Sequence, residues 1–366
     1  MSANRLEKLY TLMQQHGLEH LALNPGPSLV YLTGLHFHLS ERPTVLFLSR
    51  GRQPLLVLPE LEAAKASSAS IALETLTFND NPATWSSVFG AAGQKLGLRG
   101  NLGVEPTRFR YLESAFIDQA IPEAKITSAS AVLTSLRIQK DAEEIAAMRQ
   151  AALIAQTALL ATLPSLKIGT TEREAAAELT LQLLRAGASG LAFDPIVAAG
   201  PNSGNPHAVP GDHRLAAGDL LVIDWGAYHG DYCSDITRTF AIAELSPKLQ
   251  TVYAAVQAAN QAGRAAGRPG IPAGAVDDAA RGVITAAGYG PFFTHRTGHG
   301  LGMETHEDPY MFAENRLTLQ PGMVYTVEPG IYLPEGGVRI EDDMVVTETG
   351  SESLTDLPRD LTVIAA

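Results

Sequence analysis

Val324 to Asp342 reads VYTVEPGIYLPEGGVRIED. Val324-Tyr325-Thr326-Val327 and Val338-Arg339-Ile340 are rich in β-branched and aromatic residues, the composition of strands in a packed sheet. Pro329-Gly330 and Gly336-Gly337 punctuate them as turns. Each strand runs into a glutamate, Glu328 and Glu341. A carboxylate is expensive to bury unless it is paired or coordinates a metal. Two of them on neighbouring strands call for a cation, and the rest of the chain can be searched for its other ligands.

An echo lies upstream. Leu220–Phe240, LLVIDWGAYHGDYCSDITRTF, is again strand, Gly-rich turn and strand, and it bears Asp224 and Asp235. A helix pair precedes each block. The pattern predicts two α-plus-hairpin halves related by a pseudo-twofold axis, with the site on the axis. A fifth candidate, His299, sits in Thr297-Gly298-His299-Gly300-Leu301-Gly302, whose glycines let the backbone approach a site closely. Singly, these residues have bland readings. Asp224 before Gly226 suits a turn, Asp235 a cap, Glu328 a solvated turn, Glu341 an exposed acidic run and His299 a core position. Their joint arrangement decides. Four carboxylates and one imidazole form a mostly hard donor set that suits Mn²⁺ or Co²⁺ and accepts Zn²⁺ or Fe²⁺. So many negative charges repel unless about two dications neutralise them.

The 366 residues, 45% hydrophobic and 18% charged, are enough for two domains with full cores. The net charge of -12, without a Lys/Arg-rich run, argues against a nucleic-acid partner. The single cysteine, Cys233, excludes an internal disulfide and a cysteine-based zinc site. MSANRLEKLYTLMQQHG has an amphipathic helix pattern without the apolar core of a signal peptide. No uninterrupted apolar run of about 18 residues occurs, so no membrane span is expected and a cytoplasmic location is the default. Residues 1–132 alternate strands and helices, an α/β layer. A long alanine-rich helix is predicted over Leu136–Thr162 and a second over Thr171–Ala186, with the domain boundary just before the first, at about residue 133.

Together the motifs resemble those of the pita-bread metallopeptidases, in the creatinase, aminopeptidase P and prolidase branch. They are Asp224-x-Gly226 with Ser234-Asp235-Ile236-Thr237-Arg238-Thr239, the Gly-rich run around His299, Thr326-Val327-Glu328-Pro329-Gly330, and Arg339-Ile340-Glu341-Asp342. Asn24-Pro25-Gly26 and Tyr31-Leu32-Thr33-Gly34 are similar to runs in that branch's first domain. The resemblance implies an α+β chain: a creatinase-like N-terminal α/β domain over 1–132 and a pita-bread catalytic domain over 133–366. It implies Asp224, Asp235, His299, Glu328 and Glu341 as ligands of two divalent metals, with Asp235 and Glu341 bridging and a hydroxide between the metals attacking the scissile carbonyl. Glu328 doubles as proton shuttle, His207 lies on the substrate side, and His306 hydrogen-bonds the tetrahedral intermediate. His295 and Arg339 line the proline-specific site, and Arg339 meets a substrate carboxylate or a ligand glutamate. Phe193 and Tyr232 are both candidates to wall an apolar pocket, with an aromatic-core position as the alternative reading for each. Dimers are common in the branch, and His36, His38, Glu41 and Arg42 are candidates to overhang a partner's site.

The implied activity is hydrolysis of the N-terminal Xaa-Pro bond of a peptide substrate. Proline lacks an N–H and restricts the residue before it, so a dedicated pocket is physically reasonable. A general aminopeptidase of the same fold is the alternative. A metal-free creatinase-like amidinohydrolase and a non-catalytic scaffold both disagree with the complete carboxylate set.

Overall fold

The computed structural model describes residues 2–364. The chain divides into two compact units between Arg137 and Ile138. The first contains α1 (Ser2–Gln15), β1 (His20–Leu23), α2 (Pro27–Thr33), β2 (Val45–Ser49), β3 (Leu55–Pro59), α3 (Ala63–Ala66), β4 (Glu74–Phe78), α4 (Trp85–Leu96), β5 (Gly100–Val104), α5 (Tyr111–Ala120), β6 (Ala124–Ser128) and α6 (Ser130–Arg137). Its six-stranded sheet has the order β4-β3-β2-β1-β5-β6. The β1–β2 and β2–β3 pairs are antiparallel and the others parallel. Every residue of β2 and β3 is buried, as expected for strands covered on both faces. Phe47, Trp85, Phe89 and Ile117 join their core, with Phe89 stacked on Phe116 at 5.2 Å.

The strands and most helices of this unit fall where the residue pattern predicts them. α2 is a difference. Its seven residues include Val30 and Thr33, poor helix formers, and Pro27 in its first turn and Gly34, left-handed at its C-terminus, delimit it. The predicted helix from Leu136 is another. Leu136 and Arg137 end α6, and the long helix starts at Ala142. Asp141 caps it, accepting from the amides of Glu143 (3.0 Å) and Glu144 (2.9 Å), while the Glu144 side chain returns to the Asp141 amide. The first unit therefore ends a few residues beyond position 132.

The second unit contains α7 (Ala142–Thr162), α8 (Glu172–Arg185), β7 (Gly190–Leu191), β8 (Ile196–Ala199), β9 (Leu220–Trp225), β10 (Ala227–His229), β11 (Tyr232–Cys233), β12 (Ile236–Ile242), α9 (Pro247–Ala266), α10 (Gly274–Ala286), β13 (Gly298–Gly300), β14 (Glu307–Met311), β15 (Val324–Val327), β16 (Gly330–Leu333), β17 (Gly336–Arg339), β18 (Asp342–Val346), β19 (Ser351–Ser353) and β20 (Thr362–Ile364). One half packs α7 and α8 on the sheet β20-β12-β9-β8, and the other has α9 and α10 with the sheet β14-β13-β15-β18-β19. This is the two-half plan the echo predicts. By length and composition Ala142–Ser165 can cross a bilayer. Half of it is buried, however, and Ala151, Ala155, Ala158 and Leu159 are lost from solvent in the manner of a core helix. Beneath the site, Trp225 is fully buried and its indole N–H donates to the Ala155 carbonyl (2.8 Å).

Candidate active site

Strand register assembles the carboxylates. On the first half, Asp224 pairs with Thr237 across β9 and β12, and Asp235 occupies the bend entering β12. Gly226 is required there, because a Cβ would lie 2.0 Å from the Ser234 carbonyl oxygen. On the second half, Val327 pairs with Asp342, so Glu328 and Glu341 leave the β15–β18 ladder side by side. His299 is the middle residue of β13, and a Cβ on its neighbour Gly298 would meet the Thr326 carbonyl oxygen at 2.0 Å. The halves are joined at the site itself. The Glu341 amide donates to the Thr237 carbonyl (3.1 Å), and Thr237 Oγ1 donates to Glu341 Oε2 (2.6 Å).

Donor atoms of Asp235, His299 and Glu341 lie within 4.8 Å of one another. His299 Nε2 is 3.3 Å from Glu328 Oε1 and 3.6 Å from Asp235 Oδ2. Its Nδ1 faces the Gly300 carbonyl at 3.1 Å, so Nδ1 carries a proton there, and Nε2 faces the carboxylates, as a donor to them when protonated and as a lone pair toward a bound cation. Burial, then the charges of Glu341 and Asp224, push Asp235 well above the usual carboxylate range. Burial and then Glu328 do the same to Glu341. Asp224 is also raised, by burial first, against the opposing charge of Arg339. Burial works on Glu328 in the same direction, but the hydrogen bond and charge of His299 outweigh it and hold Glu328 at about 2. Asp224 Oδ1 is buried without a hydrogen-bond partner among the described residues. A clustered oxygen donor set, an imidazole lone pair and an orphaned buried oxygen fit hard or borderline divalent cations.

These side chains open on a cavity of about 550 Å³ that Phe193, His207, His295, His306 and Arg339 also line. The five candidate ligands and the candidate substrate-side residues Phe193, His207, His295, His306 and Arg339 therefore line one cavity. Tyr232 does not; it is buried and donates to Glu144 Oε1 (2.6 Å). The His306 ring is 4.0 Å from that of His299, and burial first, then His299, lowers its pKa to about 4. Arg339 Nη2 donates to Asp224 Oδ2 (2.5 Å), Nε to Thr237 Oγ1 (3.2 Å), and Nη1 to the Pro206 carbonyl (3.2 Å) and Tyr332 Oη (3.0 Å). Its carboxylate partner is thus an aspartate on the opposite half. Tyr332 Oη also meets His295 Nε2 at 2.8 Å. Composition hides Tyr332 as an ordinary strand aromatic; its place in a short hairpin pairing Gly330 with Arg339 is the only sequence-level hint. In the first unit, Arg42 forms a two-pronged pair with Asp80 (2.6 and 3.0 Å).

Below the glutamates lies a second network that the motifs do not reveal. Asn260 Nδ2 on α9 faces the carbonyls of Val327 (3.1 Å) and Ile340 (3.2 Å), the residues just before Glu328 and Glu341, and Asp342 Oδ2 (3.0 Å). Asp342, fully buried, also accepts from Arg238 (2.8 Å), Thr355 (2.7 Å) and Arg359 (2.8 and 2.9 Å). Arg238 Nη1 in turn holds the carbonyls of Thr237 (2.9 Å) and Glu341 (2.6 Å). Burial opposes the Asp342 charge, but the arginines, Arg238 foremost, keep it well below the usual range. Asp342→Asn is expected to destabilise the second unit by about 3–5 kcal/mol, the cost of leaving buried cations uncompensated. A fall in the urea midpoint measures it; an unchanged midpoint contradicts a stabilising role for the network.

Residues 146–348 match the model of metallopeptidase family M24, and residues 5–139 match the creatinase/prolidase N-terminal domain. A dipeptidase of Pyrococcus horikoshii is 37% identical, superposes with a TM-score of 0.93, and is covered over 99% of its chain by 98% of this one. A prolidase of Thermococcus sibiricus is 33% identical with a TM-score of 0.94 over 99% of both chains. An X-Pro aminopeptidase of Thermotoga maritima is 32% identical with a TM-score of 0.86, over 98% of this chain and 99% of that one.

Proposed function

Because this chain belongs to metallopeptidase family M24 and carries the creatinase/prolidase-type first domain, we propose that it removes an N-terminal residue before proline, using two divalent cations. It is a metallo-exopeptidase of that family. The observation that carries the two-metal reading is the convergence of four carboxylates, Asp224, Asp235 and Glu341 buried and Glu328 partly so, and of buried His299 on one cavity. Asp224, Asp235, His299, Glu328 and Glu341 would hold the ions, which the donor set suits best as Mn²⁺ or Co²⁺. Bound there, two cations would lower the pKa of water and stabilise the developing oxyanion. Asp224 would offer its orphaned Oδ1, since Arg339 engages the other oxygen. Glu328, held ionised by His299, is ready to take a proton and pass it to the leaving amine. His306, kept neutral above about pH 4, can donate from its ring to the carbonyl oxygen as it gains charge. His207 and Phe193 would serve the substrate side and His295 and Arg339 the proline end of the cavity that all four line. Resemblance to the family supports a homodimer, which sedimentation at micromolar concentration tests.

The relatives include enzymes named dipeptidase, prolidase and X-Pro aminopeptidase, so a panel of Ala-Pro, Ala-Pro-Ala and Ala-Ala on Mn²⁺-loaded protein tests the reading. Cleavage of the proline peptides well above Ala-Ala is expected. Equal cleavage of Ala-Ala removes the proline pocket and leaves a general aminopeptidase. Within the same assay, His306→Ala is expected to lower kcat by roughly 10²-fold, the scale of one lost oxyanion donor, with bound metal unchanged. Loss of metal from that variant would make His306 a ligand instead.

A further inference from the structure

Glu172 is the first residue of α8, outside every site motif. An acid in the first turn of a helix ordinarily stays solvated and complements the helix dipole. This one is fully buried, and its partners lie outside the helix. Oε1 accepts from the Ala199 amide (2.7 Å) and from Asn202 Nδ2 (3.0 Å), and Oε2 from the Gly211 amide (2.7 Å) and from Asn202 Nδ2 (2.9 Å). One carboxylate therefore joins the two ends of residues 199–211 and closes them into a loop at its neck. The Arg173 amide adds a bond to the Gly211 carbonyl (3.2 Å). Ser203 Oγ accepts from the Gly337 amide (2.8 Å), which fastens the first leg of the loop to β17. An apolar residue at position 172 would leave the buried Ala199 amide without its acceptor.

Pro206 and His207 are the loop's contribution to the cavity. The Pro206 carbonyl accepts from Arg339 (3.2 Å). His207 is exposed, and among the described residues no hydrogen bond holds its ring. Its backbone is set by a turn at Asn205, whose Oδ1 accepts from the His207 amide (3.1 Å) and whose carbonyl accepts from the Ala208 amide (3.2 Å). A ring without anchors of its own stands where the loop puts it. We propose that Glu172 is a positioning residue for the reaction: by closing the 199–211 loop it fixes where His207 stands at the cavity. The inference rests on the reading of His207 as a substrate-side residue.

The test measures Ala-Pro kinetics and metal content on Mn²⁺-loaded wild type, Glu172→Gln, His207→Ala and the double variant, and follows amide hydrogen exchange over residues 199–211. Glutamine keeps the size of the side chain but turns one acceptor into a donor that faces other donors. Glu172→Gln is expected to lower kcat/KM by about 10- to 100-fold, chiefly through KM, the scale of a small displacement made far from the chemistry. Bound metal stays at the wild-type value. Exchange in the loop rises by about 10-fold or more, the scale of a lost hydrogen bond to a charged group. The double variant falls no more than about 3-fold below the worse single, because both changes remove one shared contribution. Losses that multiply in the double variant, a fall in bound metal, or unchanged loop exchange overturn the positioning role. If Glu172→Gln does not fold, Asn202→Ala weakens the same clamp from the loop side and must show the same pattern at smaller size. If wild type does not cleave Ala-Pro, or His207→Ala matches wild type, the substrate-side reading fails and exchange alone decides whether Glu172 sets the loop. Faster exchange then sustains the clamp, and unchanged exchange overturns it.

Discussion

His299→Ala is expected to abolish turnover and to strip metal from the protein. Its Nε2 is the one nitrogen donor of the cluster, and it also holds Glu328 ionised. Removing it deletes a ligand and lets the remaining buried acids keep protons, both of which oppose a bound cation. The loss in kcat/KM should reach roughly 10³-fold or more, the rate equivalent of the several kcal/mol such ions supply. Asp235→Asn keeps the shape and removes one charge from the centre of the set, so it should behave in the same way. Elemental analysis beside the activity assay checks both variants. A metal-replete, active Asp235→Asn would sink the ligand assignment.

The second large effect comes from removing the metals and varying pH. In the metal-free protein, burial and mutual repulsion raise Asp224, Asp235 and Glu341 above their unfolded values. A raised folded pKa means that the folded state retains protons the unfolded chain releases near pH 4. The stability these groups give is full below that pH and is lost as pH rises through their folded pKa values. Glu328 has the opposite sign: its contribution is present above the unfolded pKa and is lost as pH falls toward about 2. Three raised groups outnumber one lowered group, so this site destabilises metal-free protein at neutral pH. Cations reverse that, because they bind the deprotonated set. The gap in Tm between Mn²⁺-loaded and EDTA-treated protein should therefore widen from pH 5 to pH 7.5. At saturating metal it should reach on the order of 5–10 °C. A gap that does not change with pH would contradict a carboxylate cluster as the binding site.

Most of the site was legible because its residues violate their surroundings. Asp224, Glu328 and Glu341 are acids at the ends of apolar strands, and Gly226 and Gly298 stand where only a hydrogen fits. The fold was legible for a related reason: β2, β3 and the start of β9 are apolar runs, and helical patterns separate most of the other strands. What stayed hidden depends on contacts distant in sequence. Asn260 is a polar residue within an amphipathic helix, and its partners lie 67, 80 and 82 positions away. Arg238 and Asp342 stand inside the motifs, but their pairing is invisible until the fold buries them together. The start of α7 differs from the predicted one for a local reason. Leu136 continues the apolar pattern, but the Asp141 cap restarts the helix.

The most direct test of the two-metal account is a calorimetric titration of metal-free protein with Mn²⁺ near neutral pH, with the metal content of the product measured in parallel. Two ions per chain, lost together in Asp235→Asn, is the expected result. A single ion per chain, or two that persist in Asp235→Asn, would contradict it.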